Sequence, residues 1–515
     1  MNFRLVGKQL ALLMVVLSGL LGTLSAWSFA QWRWFDGGLA EREACIALCV
    51  AAASGLLTGA VLWLATRRCP GYLGRREALL LVALSWLLGA ALAGLPYYVW
   101  ATNHFESDVT HPMHRFVDCY FEAMSGLTTT GATILSQIGE LPRSLLLWRS
   151  LTHWLGGLGI VVLFVAVLPS LGAGGKRLFR VEAPGPVQEG VRPQVRDTAR
   201  LLWFIYLGLT VVCGLSYRLS GMSWFDSVCH AFSVISTGGL STRDASIGFY
   251  DSLPIDIVTM VFMTVAGVNF AIFYQMTQGR FRQAWRDTEL RVYLLTKVLV
   301  IALVTWAILG QTITLTTGAT TGPGVGPSLR HGAFTTIALH TGTGFGTTDY
   351  DGWPYASLAL LLGLMFIGGC AGSTAGGVKV IRFWIALKVM VGEIERAFRP
   401  NVVRPLKVGK TVVDDELKIG AIAYMLIMLL LVGIGAGVLP LLEPPESPCD
   451  FATACTASVS SICNVGPGLG GVGPTRNYGW MSPASKIFLS ILMVLGRLEM
   501  FALLVLFAPT FWRKH

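Results

Sequence analysis

Four short glycine-centred segments constrain this chain more than any other feature. They are Thr128-Thr129-Thr130-Gly131-Ala132-Thr133, Thr237-Gly238-Gly239-Leu240-Ser241, Thr341-Gly342-Thr343-Gly344-Phe345-Gly346 and Asn464-Val465-Gly466-Pro467-Gly468. Each follows a short semi-polar run and lies between two long apolar runs. The pattern predicts a unit of helix, half-helix, loop and helix, repeated four times. Glycine beside small hydroxyl residues lets the backbone extend with its carbonyls turned to one side, because no bulky substituent blocks positive φ or close approach. Four such strands around one axis make a ring of carbonyl oxygens able to replace the water around a cation. Inside a bilayer, non-helical backbone is tolerated only where protein buries it or it lines a wet cavity, so the loops imply a pore.

The apolar runs supply the bilayer. Ten stretches of about 20 residues carry few or no charges, each long enough to cross a hydrocarbon core of about 30 Å. They cover roughly 10–31, 44–66, 78–101, 148–171, 201–219, 257–278, 292–316, 356–390, 419–441 and 485–508, the eighth being uncharged only as far as Val378. Of 515 residues 53% are hydrophobic and 13% charged, well outside average soluble usage. The fold class expected is an all-α polytopic membrane protein. A net charge of +10 would suit a nucleic-acid binder, but its distribution argues against one. Arg67, Arg68, Arg75, Arg76, Lys176, Arg177, Arg280, Arg282, Arg286, Arg396, Arg399, Arg404 and Lys407 all fall on alternate inter-span segments. The positive-inside rule makes those segments and both termini cytoplasmic, where the excess charge meets anionic lipid, not nucleic acid. The ten cysteines are scattered and form neither a disulfide framework nor a CxxC metal site, although Cys449 and Cys455 are external enough to pair.

In chain order, residues 1–68 read as a transmembrane hairpin outside the repeat, with Gly55 and Gly59 suited to close helix packing. The pore repeats then cover 77–171, 200–279, 290–391 and 414–511. The first apolar run is long and soon followed by a second, so it reads as an uncleaved helix and not a signal peptide. No connector is long enough for a folded nucleotide-binding domain. Thirteen residues before Gly131, Gly239, Gly344 and Gly466 stand Asp118, Asp226, His331 and Thr453. The two aspartates, and Thr453, suit helix N-caps. Half-helices starting there point their partially negative C-terminal ends at the pore centre, which favours a cation.

Two features suggest control of the pore. Arg497 and Glu499 lie near the middle of the last span, where a charge is expensive and usually faces a bundle interior or a wet cavity. Arg497 is thus a candidate electrostatic barrier below the filter, against the alternative of a helix tie. The run from Gly368 to Gly377 interrupts the last helix of the third unit. Its residues are small on all faces, which unwinds a helix instead of packing one, so it reads as a movable intramembrane gate anchored by Lys379 and Arg382. The external histidines His104, His111 and His114 match no structural zinc spacing. His153 and His340 read as buried and hydrogen-bonded, since haem ligation would need paired histidines on facing spans. Asn269 reads as a helix–helix hydrogen bond. No Ser-His-Asp arrangement, Walker motif or dinucleotide fingerprint is visible, so no enzyme is expected.

The segments Ser125 to Thr133, Trp154 to Ile160, Ala183-Pro184-Gly185-Pro186, Ser236 to Gly239, Asn464 to Gly468 and Gly496-Arg497-Leu498-Glu499 together resemble the Trk/Ktr/HKT superfamily of potassium transporters, and within it the TrkH-type bacterial subunits. The resemblance covers almost the whole chain. It implies a potassium-channel-like, pseudo-fourfold pore in the bacterial inner membrane. The potassium-binding filter would comprise Thr129, Thr130, Gly131, Thr237, Gly238, Gly239, Gly342, Thr343, Gly344, Asn464, Val465 and Gly466. Glycine at all four central positions implies potassium over sodium, potassium being the only metal expected. The gate would comprise Gly368, Gly369, Gly372, Ser373, Thr374, Gly376, Gly377, Lys379 and Arg497. It further implies a homodimer, no cofactor in this chain, and a TrkA-type cytoplasmic partner that binds NAD(H) or ATP/ADP and works the gate. Leu240, His340 and Gly342 depart from the family pattern. The alternative is an alternating-access symporter of potassium with protons or sodium, against which same-way-up repeats argue.

Overall fold

The computed structural model describes residues 1–35, 37–69, 73–105, 111–159, 195–401, 405–409 and 411–513. Helices α1 (Phe3–Trp34) and α2 (Gly38–Thr66) form the N-terminal hairpin. A Cβ on Gly55 would collide with Ser18 and Leu92, and one on Gly59 would stand 3.1 Å from the Ala11 carbonyl oxygen. The hairpin is clasped to the first unit by Glu41, which is buried. Its carboxylate accepts from Ser28 Oγ at 2.9 Å and from the Ser144 amide at 3.2 Å.

The first unit contains α3 (Arg75–His104), the half-helix α4 (Phe116–Leu127) and α5 (Arg143–Leu158). The second contains α6 (Val195–Leu219), the half-helix α7 (Trp224–Ile235), α8 (Leu253–Ala266) and α9 (Phe270–Thr277). In the third, α10 (Thr288–Ala307) leads to the half-helix α11 (Val325–His340), then α12 (Tyr355–Phe366) and α13 (Val380–Phe398). The fourth has α14 (Asp415–Leu442), the half-helix α15 (Phe451–Cys463), α16 (Pro483–Arg497) and the short α17 (Phe501–Leu504). The described strands are two small hairpins in connecting loops, at Ile313–Thr321 and Lys407–Val412.

Hydropathy reads ten runs, yet among the described residues six single helices are long and apolar enough to cross a bilayer. The difference lies in the last helix of each unit. The α8–α9 pair bends by 95° and the α16 pair by 114°, while α12 and α13 are separated by the segment 367–379. Helix α5 starts at Arg143, ahead of the apolar run, and stops at Leu158, followed by Gly159 at φ +79°. The remainder of that run, and Ala183 to Pro186 with it, lies outside the described residues. A hydropathy window averages across one or two non-helical residues, so the short breaks at Asn269 and Glu499 leave the runs apolar overall. Asn269 makes one of them: its Oδ1 accepts from the Ala271 amide at 2.9 Å, starting α9 as an N-cap. The helix–helix bond expected of it is replaced by this local one.

The expected caps shift by one turn. The N-cap positions of α4, α7 and α15 are Arg115, Ser223 and Asp450, so Asp118, Asp226 and Thr453 stand three residues inside. Ser223 Oγ accepts from the Asp226 amide at 3.1 Å as the N-cap and donates to the Asp226 carboxylate at 2.9 Å. His331 lies well inside α11, which begins at Val325. Asp118 instead ties two units together, its carboxylate lying 2.5 Å from Lys486 Nζ of α16, both side chains almost fully buried. Removing one partner of such a pair strands the other charge, at about 3–5 kcal/mol. Lys486→Ala should therefore lower stability by about 3 kcal/mol, and Asp118→Asn with Lys486→Met should recover part of it. Thermal unfolding of the purified protein in detergent checks both.

Candidate functional site

Each half-helix ends in the same way. The amides of Thr130, Gly238, Thr343 and Val465 donate to the carbonyls five residues earlier, Ser125, Ser233, Ala338 and Ser460, at 2.9, 2.8, 2.9 and 2.9 Å. The residue before each of these amides has positive φ: Thr129 at 54°, Thr237 at 55°, Gly342 at 69° and Asn464 at 53°. This is the Schellman termination, a left-handed residue followed by an amide that bonds back across the last turn. One residue further on, Gly131, Gly239, Gly344 and Gly466 are left-handed as well, with φ of 84°, 79°, 72° and 101°. Alternating the sign of φ this way turns successive carbonyls toward one side of the strand.

The four strands then close on one another. A Cβ on Gly131 would collide with the carbonyl oxygen of Gly238, one on Gly239 with that of Thr343, and one on Gly344 with that of Val465. A Cβ on Gly466 would stand 2.8 Å from the carbonyl oxygen of Thr130, which returns to the first strand. The order is cyclic: each glycine packs on the residue preceding the glycine of the next strand. Thr130, Gly238, Thr343 and Val465 are all buried, and no backbone N–H among the described residues donates to their oxygens. All twelve residues expected in the ring are thus brought together. Above it opens a cavity of about 200 Å³, whose lining includes Gly131, Gly239, Gly344, Gly466, Arg243 and Asp244.

Side chains behind the strands hold them in place. Glu122 of α4 accepts from Arg149 Nε at 2.6 Å, from Thr133 Oγ1 at 3.0 Å and from the Ile134 amide at 2.9 Å. Arg149 in turn donates to the Ser241 carbonyl at 2.9 Å, linking strands one and two. Tyr478 and Ser460 both donate to the Gly466 carbonyl, at 2.8 and 2.6 Å. Asn464 Nδ2 donates to Thr130 Oγ1 at 2.9 Å, joining strands four and one. A Cβ on Gly238 would collide with the ring of His153, so that buried histidine serves as the backstop of the second strand. His340 closes α11 with its ring 5.1 Å from that of Tyr293, and among the described residues its ring nitrogens have no hydrogen-bond partner. Both histidines are buried as expected, and at His340 ring packing stands where a hydrogen bond was expected. Sequence reasoning passed over Glu122 and Arg149, although a carboxylate and an arginine in adjacent semi-polar runs were a usable signal.

The segment from Gly368 to Gly377 lies directly against the half-helix ends. Thr374 Oγ1 donates to the carbonyls of Ile235 and Ala266, the last residues of α7 and α8, at 3.0 and 3.2 Å. A Cβ on Gly376 would collide with the Cys463 carbonyl at the end of α15, and one on Gly369 would stand 2.8 Å from the Gly267 carbonyl oxygen. Gly368 donates to the Val378 carbonyl at 2.9 Å, Gly372 accepts from the Phe270 amide at 3.1 Å, and Ser373 Oγ donates to Cys370 at 2.6 Å. Gly372 and Gly377 both have φ of 70°. Lys379 donates to the Ala375 carbonyl. Arg497 reaches the same place from α16, donating to the carbonyls of Thr374 and Gly157 at 2.9 Å each and to that of Gly156. The nine residues expected at the gate are contiguous. Glu499 pairs with Arg382, whose guanidinium lies 4.2 Å from the Tyr424 ring centre.

The family model described as TrkH, cation transport protein, matches residues 95–514. The chain belongs to the TrkH family. It is 37% identical to the Trk system potassium uptake protein TrkH of Salmonella typhimurium and 36% identical to that of Escherichia coli K12, each alignment covering 100% of both chains. The crystal structure of the potassium transporter TrkH from Vibrio parahaemolyticus superposes with a TM-score of 0.83 at 32% identity, covering 100% of both chains. These relatives are named as transporters. The helical fold of this TrkH-family chain matches that crystal structure, and it is a multi-pass membrane protein.

Elsewhere in this TrkH-family chain the external histidines are engaged locally. His104 Nδ1 lies 2.5 Å from a Glu43 oxygen, and His114 Nε2 lies 2.9 Å from the Phe105 carbonyl. Among the described residues no group of three or more His, Cys, Asp or Glu side chains could hold a metal ion. The ring makes the sharper prediction. Gly239→Ala combines a left-handed backbone with a collision against the Thr343 carbonyl. It should destabilise by at least about 2 kcal/mol. Gly392→Ala, on a helix with nothing near the added methyl, should be neutral or slightly stabilising. Unfolding midpoints of the two variants in detergent separate these outcomes.

Proposed function

We propose that this protein takes up potassium across the bacterial inner membrane, the filter strands opening outward and both termini in the cytoplasm. The observation that carries the reading is the cyclic contact of four glycine strands around buried carbonyls. A carbonyl taken out of water needs a donor or a cation, and four of them around one axis can stand in for the hydration shell of a cation. The C-terminal ends of the four half-helices add negative partial charge at the same point. The names of the relatives, potassium uptake proteins of the Trk system, make potassium the ion. Glycine at all four central positions supports potassium over sodium.

Below the ring the 368–377 segment and Arg497 form the gate. The guanidinium stands as a fixed positive charge in the ion's path, held by the carbonyls of Thr374, Gly156 and Gly157. A cation leaving the filter meets that charge at close range in a medium of reduced dielectric, where repulsion is far stronger than in bulk water. Passage requires the loop and the arginine to move together, since Thr374 joins them. A TrkA-type cytoplasmic subunit carrying NAD(H) or ATP/ADP supplies the regulation, and two copies of this chain assemble as a homodimer. Potassium then moves passively or with weak coupling.

The test is cation flux into proteoliposomes, potassium against sodium, with and without such a partner. Gly131→Ser, which pushes a side chain against the Gly238 carbonyl, should reduce potassium over sodium selectivity at least about tenfold, about 1.4 kcal/mol of discrimination. Arg497→Ala should raise flux through the chain alone. No cation flux from the wild-type chain under either condition would sink the channel reading and return the alternating-access symporter.

A further inference from the structure

One carboxylate ties the candidate gating segment to a helix it does not belong to. Glu289 stands at the second position of α10, the leading helix of the third unit. Its Oε1 accepts from the Ala371 amide at 2.7 Å and from the Ile381 amide at 3.3 Å. Ala371 lies inside the segment, and Ile381 lies in the first turn of α13, just beyond it. A single oxygen therefore grips both sides of the segment. The preceding acid, Asp287, is otherwise engaged, accepting from the Leu290 amide at 2.8 Å as the N-cap of α10.

The chemistry favours a firm hold. Ala371 and Ile381 are both buried, and a buried amide left without an acceptor carries the full cost of its desolvation. The Ile381 amide is also one of the first-turn donors that α13 cannot satisfy internally. The rest of the segment is held by backbone contacts and by Thr374 and Arg497, which lie on the filter side. Glu289 holds it from α10, and the neighbouring Cys370 amide donates to the Gly267 carbonyl at 2.9 Å, at the break in the second unit.

We infer that Glu289 is the latch of the intramembrane segment, a positioning residue that fixes its closed seat against α10 and must release, or carry the segment with it, when the pore opens. The inference rests on the gating role proposed above and adds the element against which the segment is held. Movement of α10 at its Glu289 end would then reach the segment directly, without passing through Arg497.

Cys370 provides a readout that does not depend on flux. It is fully buried beside Ala371, and Cys213 and Cys463 are buried elsewhere. The experiment compares wild type, Glu289→Gln, Glu289→Ala and Arg497→Ala in proteoliposomes, measuring potassium flux from the chain alone and thiol labelling at each cysteine by peptide mass spectrometry. Glu289→Ala should raise Cys370 labelling at least about tenfold, the effect of about 1.4 kcal/mol, with Cys213 and Cys463 unchanged, and should raise flux. Glu289→Gln, which keeps an acceptor oxygen but not the charge, should fall between it and wild type. If Arg497→Ala raises flux while Glu289→Ala alters neither flux nor Cys370, the latch is wrong and the gate stands. If Glu289→Ala exposes Cys370 but no variant alters flux, Glu289 holds the segment and the segment is not the gate. Labelling that rises equally at Cys213 and Cys463 reports unfolding. In that case Glu289→Gln decides, and wild-type labelling and flux in that variant would overturn the latch.

Discussion

A Cβ has no room at four positions, and most of the pore region follows from that. Gly131, Gly239, Gly344 and Gly466 each face the carbonyl that the next strand presents. Because the order is cyclic, no strand can be displaced without moving its neighbours, and the geometry is fixed only when all four are present. Units that share one sequence pattern but sit up to hundreds of residues apart thereby become one site. The Schellman ends make this achievable locally, since each half-helix delivers its strand in the same orientation. Thr129 and Thr237 are β-branched residues held left-handed, a conformation that costs of order 1–3 kcal/mol each. Such strain persists only where surrounding contacts over-determine it. The Glu122–Arg149 pair and the His153 ring behind the second strand are contacts of that kind.

How much of this was legible in the sequence depends on the length scale of the signal. The four glycine segments and the interruption at 368–377 could be read directly, because glycine is informative wherever backbone must adopt positive φ or approach closely, while the twelve individual residues came from the family resemblance. The breaks at 267–269 and 498–500 were not legible. Val268, Leu498 and Met500 are apolar, and a hydropathy window averages across one or two non-helical residues. Glu499 and Met500 take φ of 53° and 58° with no glycine to announce it. The N-caps were misplaced by one turn because Asp118 and Asp226 have the composition of caps. Their positions three residues in are revealed only by Ser223 and Arg115 ahead of them. The pairing of Asp118 with Lys486 spans most of the chain, and nothing local to either residue records it.

The breaks are also where the four units stop being equivalent. In the second unit the break is made by Asn269, which restarts the helix at once. In the fourth it follows Arg497, leaving the guanidinium at the end of α16. Among the described residues, it widens in the third unit into a segment with its own folded contacts. A ring of carbonyls works best when its members are alike, since a cation on the axis is then held equally from each side. The barrier proposed beneath it has the opposite requirement. Four identical obstructions would have to move together, whereas one segment from a single unit can be shifted while the ring keeps its shape.

That division explains why the segment's contacts go mainly to units other than its own. It touches α7 and α8 through Thr374, α15 through Gly376 and α16 through Arg497. The Thr374 and Gly376 contacts are to backbone carbonyls at helix ends, where one donor can be exchanged for water at little cost, whereas Arg497 grips the segment's own Thr374 carbonyl. Cross-unit contacts of this sort can break and reform. The Glu289 bonds run the other way, one carboxylate oxygen accepting from an amide of the segment and from one of the helix that follows it. The segment is therefore held from two directions, by the half-helix ends and Arg497 through Thr374 and by α10 through Glu289, so a shift of either partner reaches it.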